Sequence, residues 1–271
     1  MNIRLLFLIV LLSSSGCASR FFYYPDARVY GTPGNKGMAY EDVFFESRGG
    51  VRLHGWFIPA KENAKGTVIQ FHGNAENMTS HFNAVAWLHQ EGFNLFVFDY
   101  RGYGKSEGRP SREGLYQDGI AAIRYVLNRK DVDRHRVVVI GQSLGAATAL
   151  AVMGRQRLDV RAVVSDSGFY SYRSMVREKT GDSWLSGLLS MIVIGNGRSA
   201  GPVVDDVAPI PLLIVHGTED RVVSYGHGER LFDQAGEPKT FWRIENGHHT
   251  DFMARPEYRK KLLEFLEPVI R

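Results

Sequence analysis

"VVVIGQSLGAATAL", residues 137–150, is the stretch on which the reading of this chain turns. Four apolar residues run up to Gly141, and "RVVVI" (136–140) reads as a strand. Alanines and leucines follow, and residues 144–154 read as a helix. Between them Ser143 stands in the spacing G-x-S-x-G, flanked by Gly141 and Gly145. A strand, this spacing and then a helix make the context of a nucleophile elbow. The glycines allow a tight turn where a side chain would clash. The serine is thrown out at the carboxyl edge of the sheet, and the helix aims its first amides at the charge that develops during attack. The plain alternative is a serine that merely caps a helix. The rest of the chain decides between them.

Working outward, strands and helices alternate. "YEDVFFES" and "VRLHGWFI" flank "RGG" and read as a hairpin. "TVIQF" (67–71), "NLFVF" (94–98), "RAVVS" (161–165), "PLLIV" (211–215) and "KTFWRI" (239–244) are strand-like. Residues 78–91 and 113–128 have helical spacing, and "EYRKKLLEFLEPV" closes the chain as an amphipathic helix. This alternation predicts an α/β fold with a mostly parallel central sheet and helices on both faces. Residues 169–204 break the rhythm with helix-compatible pieces and several glycines but no clear strand, which predicts a short lid insertion. No internal repeat or low-complexity linker divides the chain, so residues 40–271 read as one domain.

The 271 residues are 44% hydrophobic, enough for one sizeable core. The formal net charge is +4, with acids and bases mixed and no basic block, so nothing points to nucleic acid. Cys17 is the one cysteine, which excludes an intrachain disulfide and a cysteine-based zinc site. It follows Arg4, the apolar run Leu5–Leu12 and a set of small residues, which together read as a secretory signal. "SSGC" resembles a bacterial lipoprotein processing site, although Ser14 stands where that pattern prefers leucine. Residues 1–16 are therefore expected to be a signal peptide, with Cys17 lipidated and residues 17–39 forming an anchor and tether. This places the protein outside the cytoplasm, at a membrane. Uncleaved anchoring or ordinary signal cleavage are the alternatives. The aromatics of "FFYYPD" (21–26) could face lipid or pack on the domain.

A serine needs a base, and the base needs an orienting acid. Asp220 ends "PLLIVHGTED" in a loop after a strand, where an acid reaches the catalytic edge; neighbouring Glu219 is its rival. "NGHHTDF" offers His248 and His249, and only one of two adjacent side chains can face Ser143. The oxyanion hole calls for the Leu144 amide and one from "HGNAEN" after "TVIQF", where Asn74 is the candidate. His72 reads as a prop for that loop. Gly104-Lys105-Ser106 mimics the end of a phosphate-binding loop, but Asp99 occupies the position of its first glycine. Asp166 ends a strand near the same edge and reads as a supporting acid. The histidine pair with Asp251 lacks further clustered ligands, so no metal and no cofactor is called for.

"HGNAEN", "FDYRGYGKSEG", "GQSLGA", "HGTEDRVV" and "HHTDF" together resemble the α/β-hydrolase superfamily. The resemblance spans about residues 21–270. It is strongest to a bacterial membrane-associated branch related to bud-emergence and acyl-protein depalmitoylase-like hydrolases. It implies an α/β-hydrolase fold and a Ser143–His249–Asp220 triad. Relatives with Gly-x-His-x-Asp select His249, whereas those with histidine directly after glycine would select His248. It also implies that Asp99 and Arg101 are structural. The expected activity is hydrolysis of a carboxylic ester or thioester through an acyl-enzyme, on a small-molecule or lipid-like acyl substrate. A peptidase or amidase of the same fold, or a non-catalytic binding module, are the alternatives.

Overall fold

The computed structural model describes residues 22–180 and 197–271. The expected signal peptide, Cys17 and the central part of the lid lie outside them. Among the described residues ten strands form: β1 (Tyr24–Pro25), β2 (Glu41–Ser47), β3 (Val51–Ile58), β4 (Gly66–Phe71), β5 (Ala75–Glu76), β6 (Phe93–Phe98), β7 (Val137–Gln142), β8 (Ala162–Asp166), β9 (Leu212–Gly217) and β10 (Lys239–Ile244). The α-helices are α1 (Met78–His81), α2 (Trp87–Gln90), α3 (Arg112–Leu127), α4 (Leu144–Met153), α5 (Tyr172–Thr180), α6 (Tyr225–Gln234) and α7 (Pro256–Leu266).

Eight strands make one sheet in the order β10-β9-β8-β7-β4-β6-β3-β2. The β2–β3 hairpin and the β3–β6 pair are antiparallel; β6 through β10 and β4 pair in parallel. The apolar runs of the parallel strands are buried on both faces, and alternate residues serve different cores. Ile69, Val139, Val163 and Ile214 face one core with Leu115 and Ile123 of α3 and Leu150 of α4. Val68, Val138, Val164 and Leu213 face the other with Met78, Leu88 and Leu262. The result is the predicted three-layer α/β arrangement.

The helix predicted over residues 78–91 is not continuous. It is two single turns, α1 and α2, around a 3₁₀ turn at Phe82–Ala84. Buried Phe82, Val85 and Leu88 recur every third residue, the repeat of a 3₁₀ helix rather than an α-helix. Of the predicted lid, α5 and a 3₁₀ turn at Gly201–Val203 fall among the described residues.

The N-terminal tether is joined to the domain. β1 pairs in parallel with β5, just past the end of β4. The aromatics divide: Tyr23 is buried and Phe22 meets Tyr172 edge-on at 5.8 Å between centroids, while Tyr24 is 60% exposed.

The topology creates the site. β6 lies on one side of β4 and β7 on the other, so the chain reverses its direction of travel across the sheet at β4. The carboxyl ends of β4 and β7 therefore open a crevice at a switch point, where α/β folds bind ligands.

Candidate active site

Ser143 occupies the sharp turn between β7 and α4, with φ 53° and ψ −114°. A non-glycine residue there costs on the order of 1–3 kcal/mol, a cost usually met at functional sites. Two close approaches enforce the turn. A Cβ on Gly141 would fall 2.6 Å from Ala146 Cα, and one on Gly145 would fall 2.0 Å from the Phe71 carbonyl oxygen. The first turn of α4 is thus pressed against the end of β4. The Ser143 N–H donates to the Asp166 carbonyl at 2.8 Å. Its side chain makes no capping bond to α4, so the plain helix-cap alternative does not describe it.

Asp220 and His249 meet at the same edge. His249 Nδ1–H donates to Asp220 Oδ2 at 2.7 Å. The other oxygen, Oδ1, accepts from the Val222 and Val223 amides at 2.8 and 2.9 Å. The Asp220 carboxyl is fully buried. Burial alone would raise its pKa, but the nearby His216 and His249 rings and the Val223 amide hold it well below the usual carboxylate range. An ionised carboxylate only accepts, so the proton of neutral His249 resides on Nδ1 and leaves Nε2 as a base. The rivals point elsewhere. Glu219 is exposed, and His248 is exposed with Nδ1 3.5 Å from the Glu219 carbonyl.

The histidine loop is fastened to the strand beside β7. The Thr250 N–H donates to Ser167 Oγ at 3.1 Å. Ser167 and Thr250 both have positive φ, 52° and 54°. Strained backbone therefore gathers at Ser143, after Asp166 and after His249, along one edge. Asp166 itself is buried, and burial pushes its pKa up to about 7 against the pull of the Gln142 amide and the His249 and His216 rings.

The third part is the loop after β4. His72 props it as expected: Nδ1–H donates to the Gly73 carbonyl at 2.7 Å, and Nε2 lies 3.4 Å from Asp99 Oδ1. Asn74 is held by its side chain. Oδ1 accepts from Tyr103 Oη at 3.0 Å and from the Tyr24 N–H at 3.3 Å, while Nδ2 donates to the Phe22 carbonyl. Asn77 Nδ2 donates to Asp26 Oδ1 and to the Arg28 carbonyl, each at 2.8 Å. His81 stacks on His72 and donates Nε2–H to the Ala75 carbonyl at 2.8 Å. Burial and the neighbouring His72 push the His81 pKa down to about 4. Leu144 is the first residue of α4, so no carbonyl of that helix meets its N–H. Asp99 Oδ1 accepts the Met78 amide at 2.7 Å and Arg101 forks onto buried Asp118, both structural roles.

Sequence reasoning did not single out His216, Ser167 or the tether contacts. His216 Nε2–H donates to the Val223 carbonyl at 2.9 Å and stands 3.4 Å from Asp220 Oδ2, bracing the acid's turn. A signal existed: "VHG" at 215–217 repeats "FHG" at 71–73, with a histidine at a strand end each time. Among the described residues, no group of three or more His, Cys, Asp or Glu is placed to hold a metal ion.

An eight-stranded sheet with a serine elbow, an acid–histidine pair and a braced loop at one switch point defines the α/β-hydrolase class. The comparisons agree, and the chain belongs to the α/β-hydrolase family. Residues 62–196 match the family described as "Serine aminopeptidase, S33". The chain is 41% identical to the protein YfhR of Escherichia coli over 258 residues, 92% of this chain and 87% of YfhR. It is 30% identical over 220 residues to alpha/beta hydrolase domain-containing protein 17B of Xenopus tropicalis, 80% of this chain and 72% of that protein. An esterase from Pyrococcus furiosus shares the fold at a TM-score of 0.75 and 22% identity, covering 92% of this chain and 99% of the esterase.

Proposed function

We propose that the protein is a serine hydrolase that cleaves a carboxylic ester or thioester through an acyl-enzyme. The observation that carries this reading is the 2.7 Å bond from His249 Nδ1–H to buried Asp220, at the edge where the strained turn presents Ser143. Ser143 Oγ attacks the acyl carbonyl as His249 Nε2 takes its proton. Asp220 keeps the imidazole oriented and stabilises the imidazolium. The oxyanion is received by the Leu144 and Asn74 amides. His249 returns the proton to the departing alcohol or thiol; water, activated by the same histidine, then releases the acid from Ser143. An ester or thioester is favoured over a peptide because the solved structures of like fold include esterases.

The N-terminal residues support a second element of this reading, export and membrane attachment through lipidated Cys17. Metabolic labelling with an alkyne fatty acid should mark the wild-type chain and not Cys17→Ser; equal labelling would refute the attachment.

The activity is tested with p-nitrophenyl esters of graded chain length, on the chain lacking residues 1–17, beside a matching p-nitroanilide. Turnover of esters but not of the anilide is the expected result. A flat profile at the background rate would refute it, and faster anilide cleavage would make the protein an amidase.

A further inference from the structure

An open cavity of about 520 Å³ lies between α5 and α6, apart from the Ser143 turn. Its described walls bring three arginines, Arg173, Arg177 and Arg230, to a single carboxylate, Glu178. That carboxylate is already engaged: its Oε2 accepts from Ser224 Oγ at 2.9 Å and from His227 Nε2–H at 3.0 Å. The histidine's tautomer follows from its other contact, because His227 Nδ1 accepts the Tyr170 N–H at 3.0 Å. Burial lowers the His227 pKa against the pull of Glu178.

Among the described residues neither Arg173 nor Arg230 pairs with a carboxylate, and Arg173 Nε is buried without a hydrogen-bond partner. Arg230 Cζ lies 4.0 Å from the centroid of the Tyr170 ring, a cation–π contact that leaves its N–H groups for a ligand. A buried guanidinium N–H without an acceptor is costly, and the partner that satisfies a fork of such donors is an anion with several oxygens. The Ser171 and Ser174 hydroxyls on the same wall bond to each other and to the Ser171 carbonyl, so the guanidinium groups are the donors left for such a ligand.

The cavity is tied to the acid side of the site. Ser224 follows Val223, whose amide caps Asp220. One turn on, Gly228 packs so closely on the His216 ring that a Cβ would fall 2.6 Å from Nδ1. Tyr170 follows the end of β8 by four residues.

We propose that this cavity is a subsite for a phosphate group on the substrate, gripped by Arg173 and Arg230, so that the ester or thioester cleaved at Ser143 belongs to a phosphorylated molecule. The subsite rests on the hydrolase reading for its role, but its ligand can be tested without turnover. In Ser143→Ala protein, inorganic phosphate should bind saturably by calorimetry. Arg230→Gln and Arg173→Gln should each weaken it roughly tenfold or more, the scale of losing hydrogen bonds to a charged group. Arg230→Lys, which keeps the charge but loses the fork, should fall between. Succinate is the control for carboxylates.

The kinetic arm compares the butyryl ester of 2-hydroxyethyl phosphate with p-nitrophenyl butyrate. The phosphorylated ester should show a KM that rises roughly tenfold in Arg230→Gln, with p-nitrophenyl butyrate turnover unchanged. Phosphate that does not bind, binds equally to the arginine variants, or binds more weakly than succinate would overturn the subsite. Failure to hydrolyse either ester while phosphate still binds would instead overturn the hydrolase reading and leave the anion site standing.

Discussion

The two flanks of Ser143 are built in different ways. On the acid–base flank, Asp220 is fixed by amides two and three residues on and by His249, all within short stretches after β9 and β10. On the oxyanion flank, the loop after β4 is fixed from far away. Asn74 and Asn77 are gripped by Phe22, Tyr24, Asp26 and Arg28, about fifty residues earlier in the chain. A local turn stores its geometry in its own sequence. A loop clamped by a distant segment depends on that segment being docked. The stretch at residues 22–28 is thereby a structural part of the edge that carries Ser143.

The largest expected effect breaks the acid–base flank. His249→Ala or Asp220→Asn should lower kcat on p-nitrophenyl butyrate by about 10³–10⁴-fold. His248→Ala should change it less than about threefold, because the exposed His248 ring does not reach Asp220. Steady-state kinetics of the three variants checks the assignment; the reverse ranking would move the base to His248.

A second experiment breaks the other flank. A chain beginning at Gly31 lacks every clamp on Asn74 except the Tyr103 hydroxyl. Its kcat should fall by roughly 10²-fold, the scale of losing one oxyanion donor, beside a chain beginning at Ala18. Far-ultraviolet circular dichroism should stay close to that of the longer chain, since the eight-stranded sheet does not include β1. Asn74→Ala should reproduce part of the loss.

The smallest effects separate the flanks by pH. His81, beside the oxyanion loop, has its pKa pushed down to about 4. The folded state then binds fewer protons than the unfolded chain below about pH 6.5, so this contribution to stability is lost as pH falls from there through 4. Asp166, beside Ser143, has its pKa pushed up to about 7. Here the folded state binds more protons, so the contribution is lost as pH rises from about 4 through 7. Thermal melts between pH 4 and 8 should show His81→Gln flattening the acid side and Asp166→Asn flattening the approach to neutrality.

This contrast also explains what the sequence discloses. The elbow at Ser143, the strand ends and the pairing of Asp220 with one of two histidines are local patterns, and each is legible from spacing. The choice of His249 needed the family pattern, and the geometry then joined it to Asp220. The tether's grip on Asn74, the Ser167 brace under Thr250 and the arginines between α5 and α6 are contacts between distant segments. No periodicity announces them. The broken helix at 78–90 shows the same limit on a smaller scale, because a three-residue repeat of Phe82, Val85 and Leu88 fits a helical pattern until packing selects the tighter turn.

The proposed activation of Ser143 by His249 is tested by intact and peptide mass spectrometry after exposure to a fluorophosphonate. A single adduct is expected on Ser143 in the wild-type chain, with a labelling rate reduced by at least about 10²-fold in His249→Ala and no adduct in Ser143→Ala. A folded wild-type chain that takes up no probe, or that is labelled equally when Ser143 is alanine, would contradict it.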